Sequence, residues 1–283
     1  FDTMTNTELC AYAEDLMLSK FRQLFMEHIY VTLLSPVPVG ALTQICDAVG
    51  RPADTMKIIS GVGDVESAAP AMAMWHLGRR VAAEPALMAA FDAGLEGLLK
   101  RLHEAGPVAN AFLAEFDKFL DEYGCRGPNE WEMGCEVWGT APELPLALVD
   151  RMRHADEDHS PEIRGGRRTA EREVAVAEAR RRVRFHERWL FDRALRCTML
   201  RTRGRERCKT ILVEAIHEGR LRLRELGRRI TERHPGALPD DLWYVTLDEV
   251  DDYRRRPGPF AALVSERRAI RIRLLNLEPP FAF

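Results

Sequence analysis

The six cysteines of this 283-residue chain, Cys10, Cys46, Cys125, Cys135, Cys197 and Cys208, contain no C-x-x-C pair. Spacings of ten and eleven residues, with no matched pair of histidines, do not supply a zinc site, so no metal is expected and the thiols are expected to be free in a reducing compartment. No run of apolar residues approaches the roughly 18 needed to span a bilayer, and the start carries no signal-peptide pattern; both point to a cytoplasmic protein without a membrane partner. Also missing are a glycine-rich loop followed by Lys, which would cradle a nucleotide, and a Ser/Thr-rich loop centred on a His. The chain therefore carries no cofactor site of its own that the sequence reveals.

What is present is enough to fold. Hydrophobic residues make up 46% of the chain and aromatics 8%, which suffices for a sizeable core. The net charge of −3 conceals an asymmetry: residues 1–150 carry −12 and residues 151–283 carry +9. Helical periodicity dominates, predicting a mainly α fold of long antiparallel helices with at most a short β segment near 240–247.

Proline and glycine punctuate the helices. One helix is expected from Asn6 or Thr7 to about Leu34, stopped by Ser35-Pro36-Val37-Pro38, and a short one from about Val39 to Gly50. Others are expected over Val65–Ala83, from Pro85 to Gly106, from Pro107 to Gly124, and from Pro142 to Arg153. Residues 154–166 are polar and lack a pattern, reading as a flexible joint between an N-terminal helical part, 1–153, and an Arg-rich part, 167–283. Within 167–233 the pattern predicts two long helices broken near Thr202-Arg203-Gly204. Asp248–Arg255 reads as one or two helical turns, and Pro259 as the start of the last helix. Met72, Met74, Trp75, Phe21 and Phe25 form an apolar stripe, which reads as core ahead of pocket.

Two segments carry candidate chemistry. In Arg205-Glu206-Arg207-Cys208-Lys209 a helix places Arg205 and Lys209 four residues apart on one face. A planar guanidinium beside a compact ammonium forms an anion clamp, and phosphoryl transfer needs chiefly positioning and charge stabilisation. In Tyr123–Trp138, Gly124 ends a helix, Arg126-Gly127-Pro128-Asn129 makes a turn, and Glu130 and Glu132 follow in alternation, as if facing opposite sides.

Together these segments resemble the rifampin phosphotransferase-like, phosphoenolpyruvate-utilising enzymes. Tyr123, Gly124, Arg126, Glu130 and Trp138 keep that family's Y-G-x-R-x-x-x-E-x-D pattern and its following Trp. Glu132 stands where Asp is usual and Val137 where Arg is usual. Residues 205–209 are similar to its R-E-x-x-K, Leu226-Gly227 lies in the following helix, and Asp241–Val250 resembles D-I-x-Y-L-T-x-x-E-L. Pro279-Pro280 is similar to the exit towards a next domain.

The resemblance implies the central, substrate-binding domain of a longer phosphotransferase, with ATP-grasp-like and phosphohistidine domains elsewhere in the parent. ATP and Mg would serve the full-length protein, and the acceptor would be a small organic molecule. Arg205 and Lys209 would stabilise the moving phosphoryl group, one of them helping to deprotonate the acceptor, while Arg126, Glu130 and Glu132 would bind substrate. A chain opening at Phe1 and stopping just past the double proline fits a piece of such a protein, inactive alone.

The alternative is a non-catalytic binding or scaffolding domain. Residues 164–233 hold 22 basic and 10 acidic side chains, and a basic helical arm can bind nucleic acid through its phosphates. Interleaved glutamates, few accompanying aromatics and the lack of a recognition motif weigh against that partner.

Overall fold

The computed structural model describes residues 3–62 and 68–278. Among them the chain is mainly α, as expected, with no strand. It forms two compact units, and neither follows the expected division at 154–166. One comprises Leu24–Glu130 and Glu136–Val213; the other comprises Phe1–Gln23, Trp131–Cys135 and Glu214–Phe283. The expected joint is instead a 3-10 turn, Glu157–His159, after which the Ser160 side chain caps the next helix at the amide of Glu162.

The larger unit is built from α2 (Arg22–Leu34), α3 (Pro36–Ala48), α4 (Asp54–Ile59), α5 (Ala69–Ala83), α6 (Pro85–Asp92), α7 (Leu98–Glu104), α8 (Pro107–Tyr123), α9 (Glu143–Arg153), α10 (Pro161–Arg182) and the first part of α11 (Arg188–Arg233). Proline begins several of them because the first helical position has no N–H partner to lose. The expected helix from Pro85 to Gly106 is two helices, since Gly94 and Gly97 adopt left-handed backbone between them. The expected start at Val65 falls outside the described residues.

Amphipathic α8 centres one core. Its Phe112, Phe116 and Phe119 stack in a row, Phe91 meets Phe112 edge-on, and Trp138 closes the far end on Phe119. Met74 and Trp75 are buried, so this part of the apolar stripe is core, whereas Phe25 is exposed. A second core joins Leu42, Ile58, Ala175, Ala179 and Phe191 of α3, α4, α10 and α11.

Helices α5 and α9 pack closely at Gly78. A Cβ there would sit 2.9 Å from Met152 Cβ and 3.1 Å from the Arg153 nitrogen. Ala ordinarily gains about 1 kcal/mol over Gly inside a helix. Here the collision with a neighbouring backbone reverses the sign, and Gly78→Ala is expected to cost about 1–3 kcal/mol, read from urea unfolding.

The smaller unit gathers α1 (Asn6–Asp15), the end of α11, α12 (Val250–Arg255) and α13 (Ala261–Leu275) around Leu9, Leu226, Ile230, Leu242 and Tyr253. Thr5 caps α1 through a reciprocal pair with Glu8. Gly227 lets the backbone at Pro239 approach α11, where a Cβ would lie 2.3 Å from the Pro239 carbonyl oxygen. The stretch expected to be extended is a 3-10 turn, Pro239–Tyr244, because Asp241 accepts the Leu238 amide and draws the chain into a coil.

Arg220, fully buried, donates from Nε to the Met133 carbonyl and from Nη2 to the Glu132 carbonyl, fixing the Trp131–Cys135 segment on α11. Its Nη1 lies 3.2 Å from His217 Nδ1. A guanidinium only donates, so this imidazole nitrogen accepts and the ring is neutral. Burial first, then the charge of Arg220, push His217 down to about 4. An unfolded histidine titrates near 6.5. Between those values only the unfolded chain is protonated at this position, so the contribution of His217 to stability should be flat above about pH 6.5 and fall by about 1–3 kcal/mol as pH drops to about 4. Unfolding free energy measured against pH should show that step, and His217→Gln should remove it.

Two further expectations are corrected. α11 runs unbroken through Thr202-Arg203-Gly204; the turn between the long helices lies at 183–187 instead. α2 ends at Leu34, as expected, but the next helix begins at Pro36 rather than at Val39, and Ser35 between them keeps helical backbone, so the helical run Asn6–Ala48 extends over 43 residues. Residues 28–46 of that run contain no Asp, Glu, Lys or Arg. By length and composition it is apolar enough to cross a membrane, and 11% of the apolar window is buried. The sequence reading missed it because Ser, Thr, Gln, Gly and Pro interrupt the apolar residues. The core helix of a soluble protein and a signal sequence pass the same test of length and composition. The Pro279-Pro280 step lies outside the described residues.

Candidate active site

The candidate site lies within the larger unit, where the loop after α8 meets α11. Two backbone hydrogen bonds hold the loop in shape: Trp138 N–H donates to the Arg126 carbonyl at 2.8 Å, and Gly139 N–H donates to the Gly124 carbonyl at 2.8 Å. The two segments approach this closely because they meet at glycines. A Cβ on Gly124 would lie 3.1 Å from Gly139 Cα, and one on Gly127 would lie 3.0 Å from Val137 Cα. Val137, where relatives were expected to have Arg, is fully buried and serves packing.

The loop aims Arg126 and Glu130 at α11. Both are buried. Arg126 Nη1 donates to Glu130 Oε1 at 3.2 Å, and the same oxygen accepts from Lys209 Nζ at 2.9 Å. The other arm of Arg126, Nη2, donates to Thr210 Oγ1 at 3.0 Å. Thr210 in turn donates to the Glu206 carbonyl one helical turn back, at 3.2 Å. Four side chains from two distant stretches thus form one connected network. Exposure is graded across it: the Glu130 side chain is 12% exposed and that of Lys209 34%.

Arg205 sits one turn before Lys209 on the same helix, 46% exposed, with Nη2 2.9 Å from Glu206 Oε1. Its partner is a neighbour in sequence, so it retains freedom to reach a ligand beside Lys209. Two cations at the rim, backed by a buried carboxylate and a buried guanidinium, can receive an anion from the solvent side.

Glu132 is not brought to this site. It belongs to the smaller unit, where its carboxylate lies 3.5 Å from Arg271 Nη1 and its carbonyl accepts from Arg220. The two glutamates do face different partners, but Glu130 does so from a turn over 128–131 and Glu132 from the residue after it, with no strand at either. Sequence reasoning missed Thr210. The available signal was its place beside Lys209, where a helical threonine bonded to the carbonyl four residues back keeps its oxygen free to accept. All six cysteines are free, and Cys208 is partly buried.

Proteins of Mycobacterium tuberculosis and Mycobacterium bovis, each described as uncharacterized, are 33% identical to this chain over 188 residues. The shared stretch is 66% of this chain and 19% of each relative, so the chain spans about a fifth of the length of the relatives it matches. The family described as the rifampicin phosphotransferase fourth domain matches residues 26–206. That match takes in Arg126, Glu130, Glu132 and Arg205 and stops three residues short of Lys209. It extends over more than half of the sequence, and the chain belongs to the rifampicin phosphotransferase fourth-domain family.

Proposed function

We propose that this chain is the substrate-binding central domain of an ATP-dependent phosphotransferase, and that its rim cations receive a phosphoryl group on its way to a small organic acceptor. The observation that carries this reading is the Lys209 ammonium, held at the solvent boundary by buried Glu130 and followed one turn away by the exposed Arg205. A phosphohistidine domain of the same parent, charged from ATP and Mg, supplies the phosphoryl group.

The residues of this chain have distinct tasks. Lys209 and Arg205 offset the charge spread over the phosphoryl oxygens; groups aimed at developing charge contribute about 10²–10³-fold each in comparable sites. Arg126 and Thr210 hold Glu130, and Glu130 holds Lys209. The expectation that Arg126 and Glu130 bind substrate directly is therefore replaced by a supporting role, since their polar atoms point at one another and at α11. The parent protein, supplied with ATP labelled in its phosphoryl groups, should carry label on a histidine outside this chain and release it onto a small organic acceptor. Label found only in nucleotide products and free phosphate would contradict the proposal.

One observation favours a second reading. At the turn between α10 and α11, Phe185 is 85% exposed and Trp189 65% exposed, beside the exposed Arg181, Arg182, Arg184 and Arg193. Aromatic side chains among arginines suit stacking on single-stranded nucleic acid. Affinity for an oligonucleotide that falls steeply with salt and is lost in Phe185→Ala/Trp189→Ala would support it.

A further inference from the structure

We propose that Glu130 is a built-in counter-anion of the clamp: it holds Lys209 while the clamp is empty and gives the ammonium up to a phosphoryl dianion, but not to a monoanion. This deepens the phosphotransferase reading and rests on it for the identity of the natural ligand.

The geometry has three parts. A single oxygen, Glu130 Oε1, serves both cations, Arg126 at 3.2 Å and Lys209 at 2.9 Å. Arg126 is itself anchored on its far side by Thr210 at 3.0 Å. The carboxylate lies inside and the ammonium at the rim.

From this the exchange follows. When Lys209 turns to an incoming anion, Glu130 keeps Arg126 and is not left as a lone buried charge, the event that would make release costly. The lysine stem is flexible and its ammonium has three donors, so it can move without rearranging the loop. Without Glu130 the same flexibility would leave the ammonium unplaced, so the carboxylate also positions it.

Selectivity follows from charge. A monoanion offers Lys209 no more than Glu130 already does at a similar distance. A dianion offers about twice the Coulomb attraction. Such a clamp would ignore chloride and carboxylates and respond to a phosphoryl group, so Glu130 is a positioning and specificity-determining residue that acts through Lys209.

The test titrates inorganic phosphate, at a pH where it is a dianion, and separately acetate into the folded chain at constant ionic strength, following affinity by NMR. The original chain should prefer phosphate by about tenfold or more. Glu130→Gln keeps the shape and removes the charge, so both anions should bind more tightly and the preference should shrink. Lys209→Ala should abolish the preference, and Glu130→Gln/Lys209→Ala should match Lys209→Ala alone. If Glu130→Gln does not fold, Glu130→Asp, which keeps the charge but withdraws it from Lys209, should likewise tighten both anions and shrink the preference, and an unchanged preference there would overturn the proposal. Unchanged or weaker phosphate binding in folded Glu130→Gln, or no preference in the original chain, would overturn the proposal. Failure of the phosphotransferase reading shows separately, as label from ATP that reaches only nucleotide products and free phosphate in the unmodified parent.

Discussion

Lys209→Ala in the parent protein is expected to lower kcat for phosphoryl transfer about 100-fold or more, with little change in KM for the acceptor. The expected size comes from two losses at once. One removes a charge aimed at the phosphoryl group. The other takes from the buried Glu130 Oε1 one of the two cations it serves and leaves it Arg126. Arg205→Ala should cost less, about 10-fold, because Arg205 is exposed, pairs with the adjacent Glu206 and supports no other member of the network. Lys209→Arg should recover part of the activity, since it restores the charge with a different donor geometry. Steady-state kinetics on the three variants checks the order. Equal losses for Lys209→Ala and Arg205→Ala would mean that the link to Glu130 has no bearing on transfer.

Arg220→Ala is expected to destabilise the smaller unit by about 3–5 kcal/mol, a large share of a typical folding free energy. The side chain has no exposure, and its loss would strip the Met133 and Glu132 carbonyls of their donors while opening a hole in α11's packing. Arg220→Lys should rescue little, because one ammonium cannot reproduce a fork that reaches two carbonyls. Urea unfolding gives the loss, and faster hydrogen exchange at residues 131–135 locates it. A stable variant with unchanged exchange there would show that the guanidinium does not fix this segment.

The sequence made much of the larger unit legible because its helices carry their own punctuation. Pro107 and Gly124 bracket α8, and the phenylalanines between them fall on one face. Elsewhere local signals pointed the wrong way. Gly204 looked like a break, yet it lies inside α11, where the helix continues through it and a Cβ would meet Val31 Cγ1 only at an ordinary contact distance of 3.9 Å. The actual turn at 183–187 contains neither glycine nor proline, and what sets it is burial of Val183 and Phe191. That residues 131–135 join the smaller unit was also hidden, since it depends on Arg220 reaching back to residues 132–133, and nothing in an arginine-rich sequence distinguishes that arginine. At the site, Arg126, Glu130 and Lys209 could be singled out from their motifs. Their connection through one carboxylate oxygen and the part of Thr210 needed the loop and α11 in three dimensions.

In the proposed reaction Lys209 and Arg205 act on the phosphoryl group after it has left the nucleotide. The most direct measurement is the decay of histidine-bound label in the parent protein, with and without Arg205→Ala/Lys209→Ala, after acceptor is added. The variant should acquire the label normally and then hold it, while the unmodified parent passes it to the acceptor. Label that leaves the variant for the acceptor at the normal rate would contradict that role.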